Sequence, residues 1–127
     1  MVDAGLFDDV ELTAWTKMPD NVIIGSNVTS INEAAFYYCS ELKSVMIPNS
    51  VDSIGHQVFE GCSSLTSVMI PDSVASIGSS VFYGCIGLIY VVIPTKTMAQ
   101  VQAMNYSSWS LGSGCKICCS DGIITIE

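Results

Sequence analysis

The sequence predicts a repeat solenoid of the α/β type, in which each repeat contributes one strand to a parallel sheet. Three prolines are spaced 23 residues apart, at Pro48, Pro71 and Pro94. The 23-residue blocks that begin at Leu42 and at Leu65 are identical at 15 positions without a gap. A fixed period of this length is typical of stacked repeats, each buried against its neighbours.

The first part of each repeat, LxxVxIP, predicts the strand. Its Val and Ile alternate as in a strand with one buried face, and the proline ends the strand because it lacks a backbone N–H. We therefore expect one parallel sheet with strands near 22–24, 45–47, 68–70 and 91–93.

The second part, SVxSIGxxVFxGC, predicts a short irregular or 3₁₀ segment on the opposite, convex side. Its apolar residues are spaced as in a helical turn, but Gly55 interrupts a full helix. Gly55 and Gly78 occupy the position where the preceding repeat has Asn32. Glycine and asparagine both tolerate a positive φ, so this position predicts a left-handed backbone.

Columns of apolar residues are expected to fill the interior. They include Val28, Val51 and Val74; Ile31, Ile54 and Ile77; Phe36, Phe59 and Phe82; Cys39, Cys62 and Cys85; and Leu42, Leu65 and Leu88, with Leu111 continuing the last column. Stacked side chains point in parallel, which is the wrong geometry for a disulfide. The three cysteines are therefore predicted to be buried, reduced thiols.

Both ends of the chain depart from the period, as the caps of a solenoid do. We expect a single domain over residues 1–127, with an N-terminal cap at 1–21, repeats at 22–94 and a C-terminal cap at 95–127. These caps would cover strand edges and core that an open stack leaves exposed.

The C-terminal cap is predicted to contain a short helix and a β-hairpin. Thr97 with Gln100 fits a capping box, which predicts a helix over about 97–106. Asp121 and Gly122 separate two short apolar runs, and this dipeptide is typical of a hairpin turn.

The charge balance argues against several classes of partner. The chain carries 12 acidic residues against four lysines and no arginine, and its net charge is −8. Phosphate recognition depends on basic side chains, so we expect neither nucleic-acid binding nor attraction to an anionic membrane. No apolar run approaches the ~20 residues of a spanning helix, and the first residues lack the regions of a signal peptide.

The motif LxxVxIPxSVxxIGxxVFxGC resembles the BspA-like, or Treponema-type, leucine-rich repeats over residues 22–94. The resemblance implies a right-handed leucine-rich-repeat solenoid with a concave parallel sheet. It also implies kinship with proteins of host-associated bacteria, protists and their phages, many of them surface-exposed and implicated in adhesion. The resemblance suggests a cell-surface or secreted location, which the residues themselves leave unknown.

Two groups of residues could carry chemistry. Cys115, Cys118 and Cys119 form CxxCC, but a zinc site needs four ligands and the single histidine, His56, lies in another repeat. We expect structural cap residues here, with a redox or metal role as the alternative. The position of His56 is taken by Ser79 in the next repeat, which indicates a solvated surface position. No catalytic residue, cofactor or metal is predicted.

Strand alternation sends two columns of side chains out of the sheet. One column is Asn21, Ser44, Ser67 and Tyr90, and the other is Ile23, Met46, Met69 and Val92. The second is an apolar stripe on a face expected to be exposed, and such stripes often mark contact sites. The alternative is that these side chains are β-formers in a harmless small patch.

These patterns predict a non-catalytic interaction module rather than an enzyme. It would bind a protein partner, or a second copy in a homodimer, through the concave sheet, with adhesion or host interaction as a candidate role. The second hypothesis is a structural or assembly component of a cell surface or phage particle, with the repeats as a spacer. A thiol enzyme that uses the CxxCC segment is the third.

Overall fold

The structure is a computed structural model of the chain, and it describes residues 20–127 together with a backbone strand at Leu6–Phe7. The strands are β1 (Leu6–Phe7), β2 (Asn21–Ile24), β3 (Ser30–Ile31), β4 (Ser44–Met46), β5 (Ser53–Ile54), β6 (Ser67–Met69), β7 (Ser76–Ile77), β8 (Tyr90–Val92), β9 (Lys116–Cys118) and β10 (Ile123–Thr125). One α-helix, α1 (Met98–Gln102), and one 3₁₀ helix (Tyr106–Trp109) lie between β8 and β9.

The long strands of successive coils form the main sheet face, as the period predicts. Strands β1, β2 and β4 pair in parallel, and β6, β8 and β9 do the same, with β10 antiparallel at the outer edge of β9. Strand β4 lies beside β6, but the hydrogen-bonded ladder is interrupted between them. Val45 of β4 and Ile47 just after it are also slightly less buried than Val68 of β6 and Ile70 just after that strand. The coils are therefore packed less closely at this point than one continuous sheet would require.

The opposite side of each coil contains a second parallel sheet that the sequence pattern did not reveal. Strands β3, β5 and β7 pair through Ser30, Ser53 and Ser76 and through the isoleucine that follows each serine. The expected irregular segment therefore also contains a two-residue strand in each repeat. A two-residue strand is too short to show alternating apolar and polar residues in the sequence. Its strand conformation becomes visible only in its hydrogen bonds to the neighbouring coil.

A run of turns follows each of these short strands, and its hydrogen bonds pass between coils. The Phe36 N–H donates to the Val58 carbonyl at 3.0 Å, and the Phe59 N–H donates to the Val81 carbonyl at 3.0 Å. Because each turn directs a side chain inward after three or four residues, the apolar spacing imitates that of a helix. Other backbone donors of the segment bond within it, as the Glu60 N–H does to the Gln57 carbonyl at 3.2 Å, so the run is held both by its own turns and by the adjacent coil.

Gly55 and Gly78 are not in the left-handed conformation that was expected of them. A Cβ on Gly55 would lie 2.7 Å from the backbone N of Glu33, and a Cβ on Gly78 would lie 2.6 Å from that of His56. Both distances are shorter than real Cβ contacts allow. These glycines are therefore needed for the close approach of two coils, and the predicted reason was wrong.

The left-handed positions of each coil lie further along the turn run. Gly61 and Gly84 have φ of 78° and 76°, and Tyr38 takes the same position in the first coil with φ of 55°. A second left-handed column contains residues other than glycine: Ala34, Gln57 and Ser80, with φ of 59°, 59° and 58°. Each coil thus reverses direction through two left-handed residues that are four positions apart.

The core lies between the two sheets, and the predicted apolar columns fill it. Phe36 stacks on Phe59 with ring centroids 5.5 Å apart, and Phe59 stacks on Phe82 at 5.9 Å. Trp109 of the 3₁₀ helix ends the stack, with its ring centroid 6.5 Å from that of Phe82. All four rings are buried. The phenylalanine column is therefore continuous with the C-terminal cap.

The C-terminal cap has the predicted helix start and the predicted hairpin. The Thr97 N–H donates to Gln100 Oε1 at 2.8 Å, and the Gln100 N–H donates to Thr97 Oγ1 at 3.2 Å, which completes the capping box. The helix itself, Met98–Gln102, is shorter than expected. Strands β9 and β10 pair antiparallel on either side of Asp121.

The 23-residue register changes in the last coil. Tyr90 of β8 pairs with Lys116 of β9, an offset of 26 residues, whereas Ser67 pairs with Tyr90 at 23. Helix α1 and the 3₁₀ helix replace the turn run and add three residues. Leu111 therefore does not continue the leucine column by register, although it packs against the core.

The N-terminal cap predicted for residues 1–21 lies almost entirely outside the described residues. Its backbone strand β1 pairs with β2 in parallel, with Leu6 opposite Ile23. Among the described residues, no helix has the length and apolar composition needed to cross a bilayer.

Candidate interaction surface

The main sheet exposes both columns that strand alternation sends outward. Met46 and Met69 are 64% and 59% exposed, and Ile23 is half exposed. Val92, the last member of this apolar column, is half-buried. The polar column of Asn21, Ser44, Ser67 and Tyr90 is exposed as well. Both columns form one surface because the strands are in register.

Strand pairing sets the register of these columns. Asn21 lies opposite Ser44, whose Oγ–H donates to Asn21 Oδ1 at 2.5 Å. Ile23 lies opposite Met46, and Met69 lies opposite Val92. The apolar stripe therefore passes from strand to strand, and it crosses the point between β4 and β6 where the ladder is interrupted.

Both columns extend beyond the residues that the repeat identified. Val92 pairs with Cys118, and Cys118 pairs with Ile123, which is more than half exposed. In the polar column, Tyr90 pairs with Lys116. Sequence reasoning missed these additions because the last coil is three residues longer than the period. The paired apolar runs around Asp121 were the one signal that could have found them.

The third complete coil widens the apolar surface at the start of its strand. Ile86 is 87% exposed, and Ile89 and Tyr90 are also exposed. The equivalent residues of the two preceding coils are Ser40, Lys43 and Ser44, and Ser63, Thr66 and Ser67. Because the same fold accommodates polar residues at all three positions, the fold does not require apolar residues there. Of the three coils compared, the third coil alone has apolar residues at these exposed positions.

The cysteine column is buried, as the sequence predicts, and its thiols are free. The Cys62 thiol donates to the Phe36 carbonyl at 3.1 Å, and the Cys85 thiol donates to the Phe59 carbonyl at 2.9 Å. Burial raises the pKa of Cys85 to about 11 and raises that of Cys62 further. Thiols held in the protonated form are poor nucleophiles, so this column joins coils and does not provide a reactive group.

The CxxCC segment begins one residue before β9 and ends one residue after it. Cys115 is buried, whereas Cys118 and Cys119 are half-buried. Burial raises the pKa of Cys115 and of Cys119, which lowers the fraction of thiolate that could bind a metal or attack a disulfide. Within the described part of the chain, no group of three or more His, Cys, Asp or Glu side chains is placed to hold a metal ion.

His56 is exposed on the turn side and joins two coils. Its Nδ1 accepts the Ser79 N–H at 2.8 Å and lies 3.0 Å from Ser79 Oγ. A serine beside a histidine resembles a catalytic pair, but here the backbone N–H already occupies the nitrogen that would act as base. The pair is best explained as a hydrogen bond between stacked coils.

Solved structures similar to this chain show the same fold. A leucine rich cell surface protein from Faecalibacterium prausnitzii matches with a TM-score of 0.68 and 22% identity, over 95% of this chain and 33% of that one. A leucine-rich repeat protein from Bacteroides ovatus matches with a TM-score of 0.54 and 23% identity, over 93% of this chain and 37% of that one. The chain thus spans about a third of the length of each. Among curated proteins, none matches the sequence significantly.

The sequence also matches a known repeat family directly. Six copies of the BspA type leucine rich repeat region match residues 14–117, which reaches beyond the repeats at 22–94 on both sides. Leucine-rich-repeat proteins are generally non-catalytic interaction or structural modules, and the solenoid described above has the parallel strands of that fold. The chain belongs to the BspA type leucine rich repeat family.

Proposed function

We propose that this chain is a non-catalytic interaction module that binds a protein partner through the exposed face of its main sheet. The observation that carries the proposal is the apolar column Ile23, Met46, Met69 and Val92, which remains on the solvent side in every coil. Methionine is flexible and favours adaptable interfaces, and an apolar surface that continues across strands is typical of a contact site.

The partner-contacting residues of this proposal are the two outward columns. They are Asn21, Ile23, Ser44, Met46, Ser67, Met69, Tyr90 and Val92. The polar column would supply hydrogen bonds around the apolar one, as in interfaces with a dry centre and a polar rim. Tyr90, with Ile86 and Ile89 beside it, would form the aromatic anchor at one end.

The same surface could contact a second copy of the chain or a different protein. A net charge of −8 opposes self-association, since two copies would repel one another. This repulsion favours a different and more basic protein. The cell-surface description of one structural neighbour supports a role in contact between a cell and its surroundings, such as adhesion.

The proposal is tested with the double variant Met46→Lys, Met69→Lys. Two lysines in the centre of the apolar column would be costly to bury in an interface, so we expect binding to be lost while the fold is retained. The measurements are circular dichroism, the mass in solution by light scattering, and affinity capture from lysates with each protein as bait.

The matched control is Thr29→Lys, Ala75→Lys, which adds the same charge at exposed positions on the turn side. We expect the control to capture the same proteins as the wild type. If the sheet variant folds and both its mass and its captured proteins equal those of the wild type, the sheet face is not the functional surface. In that case the hypothesis of a structural spacer is preferred.

A further inference from the structure

Three tyrosine rings lie exposed on the turn side of the solenoid, away from the sheet. They belong to Tyr37, Tyr38 and Tyr83, and each is about half exposed. The Tyr38 N–H donates to the Glu60 carbonyl at 2.7 Å, and the Gly61 N–H donates to the Tyr83 carbonyl at 2.8 Å. Tyr37, Glu60 and Tyr83 therefore occupy the same position of three stacked coils, with the glutamate between the two tyrosines.

The glutamate in this column is buried although it carries an acidic side chain. Glu60 is only 7% exposed, and its Oε1 accepts a hydrogen bond from Gln57 Nε2 at 3.0 Å. Burial and the charge of Glu60, to which the Tyr37 hydroxyl is hydrogen-bonded, together raise the pKa of Tyr37. Among the described residues, the ion pair is that of Lys96 with Asp72, and no lysine lies within ion-pair distance of Glu60. A buried carboxylate without a cation is costly, and it attracts one.

The fold does not require these rings, because the repeat supplies other residues at the same positions. Coil two has Glu60 where its neighbours have Tyr37 and Tyr83, and Gly61 and Gly84 stand where the first coil has Tyr38. Tyr38 adopts a φ of 55°, a left-handed conformation that costs a residue other than glycine ~1–2 kcal/mol. The tyrosine at this position therefore costs stability that the glycine of the other coils does not.

We propose that Tyr37, Tyr38, Glu60 and Tyr83 form a recognition site for the ammonium group of a lysine side chain presented by a basic protein partner. Phenol rings attract a cation to their faces, and the carboxylate of Glu60, which lies between Tyr37 and Tyr83 in the column, adds a fixed negative charge. The site is an open surface of half-exposed rings, whereas free small molecules favour enclosed pockets. A side chain presented by a larger partner therefore fits better than a free amine. The net charge of −8 favours a basic partner in the same way.

The test is a nuclear magnetic resonance titration of the full chain with the peptide Ac-Gly-Lys-Lys-Gly-NH2, at ~0.15 M salt to screen long-range attraction. The comparison peptide carries Nε-acetylated lysines and has lost the positive charge. We expect saturable shifts of the Tyr38, Gly61 and Tyr83 amide signals with the first peptide and none with the second. Equal shifts with both peptides, or shifts spread over all acidic residues, would overturn the proposal.

Variants separate the site from the overall charge. Glu60→Gln keeps the shape of the side chain and its bond to Gln57, and we expect about tenfold weaker peptide binding because a charge-assisted contact is lost. Asp52→Asn removes the same charge from an exposed position of the same coil and should bind as the wild type does. If both variants weaken peptide binding equally, the loss of affinity comes from the change in net charge, and the proposed site is refuted.

A second variant removes two of the rings. It tests the site independently of whether the Glu60→Gln variant folds. Tyr38→Gly installs the residue that the other coils use, and Tyr83→Leu keeps an apolar side chain without a π face. We expect the combined variant to keep its circular dichroism spectrum and to bind about two- to fivefold more weakly per lost ring. Wild-type affinity in this folded variant would contradict recognition by the aromatic rings.

Discussion

Single glycines of the repeat satisfy two different physical requirements. Gly61 and Gly84 supply a positive φ, whereas Gly55 and Gly78 leave room for the backbone of the preceding coil. The two requirements look the same in the sequence, since both are met by a glycine at a 23-residue spacing. They differ in what an added methyl group would touch, and this difference can be measured.

Replacing Gly78 with alanine tests the close approach of coils. The new Cβ would lie 2.6 Å from the backbone N of His56, and backbone cannot move aside as a flexible side chain can. We expect a loss of about 1–3 kcal/mol in the free energy of unfolding, the usual cost of overpacking. The measurement is urea denaturation followed by circular dichroism.

The control for this experiment is Gly112→Ala. A Cβ at Gly112 meets no atom within 4 Å, and its φ lies outside the left-handed region. Alanine there reduces the freedom of the unfolded chain, so stability should be unchanged or should rise by about 0.4–1 kcal/mol. Equal losses in both variants would show that the distance at Gly78 is not the cause.

At the scale of elements, helix α1 is too short to be stable by itself. It has five residues, far fewer than the ~12–15 that an isolated helix needs. Its N-terminus is held by the capping box of Thr97 and by Asp121, whose Oδ1 accepts the Met98 N–H at 2.8 Å. Val101 anchors its other face in the core. The helix is thus maintained by contacts with the hairpin and the last coil.

Substitution of Thr97 by alanine tests this dependence. The Thr97 hydroxyl oxygen accepts the Gln100 N–H, and loss of a cap of this kind costs about 1 kcal/mol. We expect a lower melting temperature, and faster hydrogen exchange in α1 than in β6. Gln102→Ala, at the exposed end of the same helix, is the control and should leave both unchanged. Uniform acceleration of exchange along the whole chain would contradict a local role.

At the scale of the whole molecule, stability depends on contacts between neighbouring coils. The rings of Phe36, Phe59, Phe82 and Trp109 form one stack through all of the described coils and the C-terminal cap. In a repeat protein each coil is stabilised mainly by its neighbours. Loss of one central ring should therefore weaken the two interfaces on either side of it.

Phe59→Ala is expected to cost ~3–5 kcal/mol, the range for an emptied aromatic site in a core. Phe59 is fully buried between two rings, so the cavity would lie in the middle of the stack. We expect far-ultraviolet circular dichroism and tryptophan fluorescence to report the same, lower transition temperature. Phe59→Leu, which fills most of the space, should cost clearly less. A melting temperature close to that of the wild type for Phe59→Ala would contradict the central position of this ring.

The sequence by itself determined the repeat, the strands, the buried columns and the family. A period of 23 residues requires each apolar position to stack on its equivalent, and alternation alone decides which strand residues face outward. For the same reason the exposure of Met46 and Met69 follows from strand alternation alone. The capping box and the hairpin could likewise be predicted from local patterns of a few residues.

The tertiary structure alone decided what depends on the distance between coils. The second sheet at Ser53 and Ile54 exists only because the adjacent coil supplies hydrogen-bond partners. The clash that makes Gly78 necessary, and the extension of the apolar column to Ile123 through a longer last coil, are also properties of neighbours. A pattern along one chain records which side chains are buried, but it does not record how closely two backbones approach.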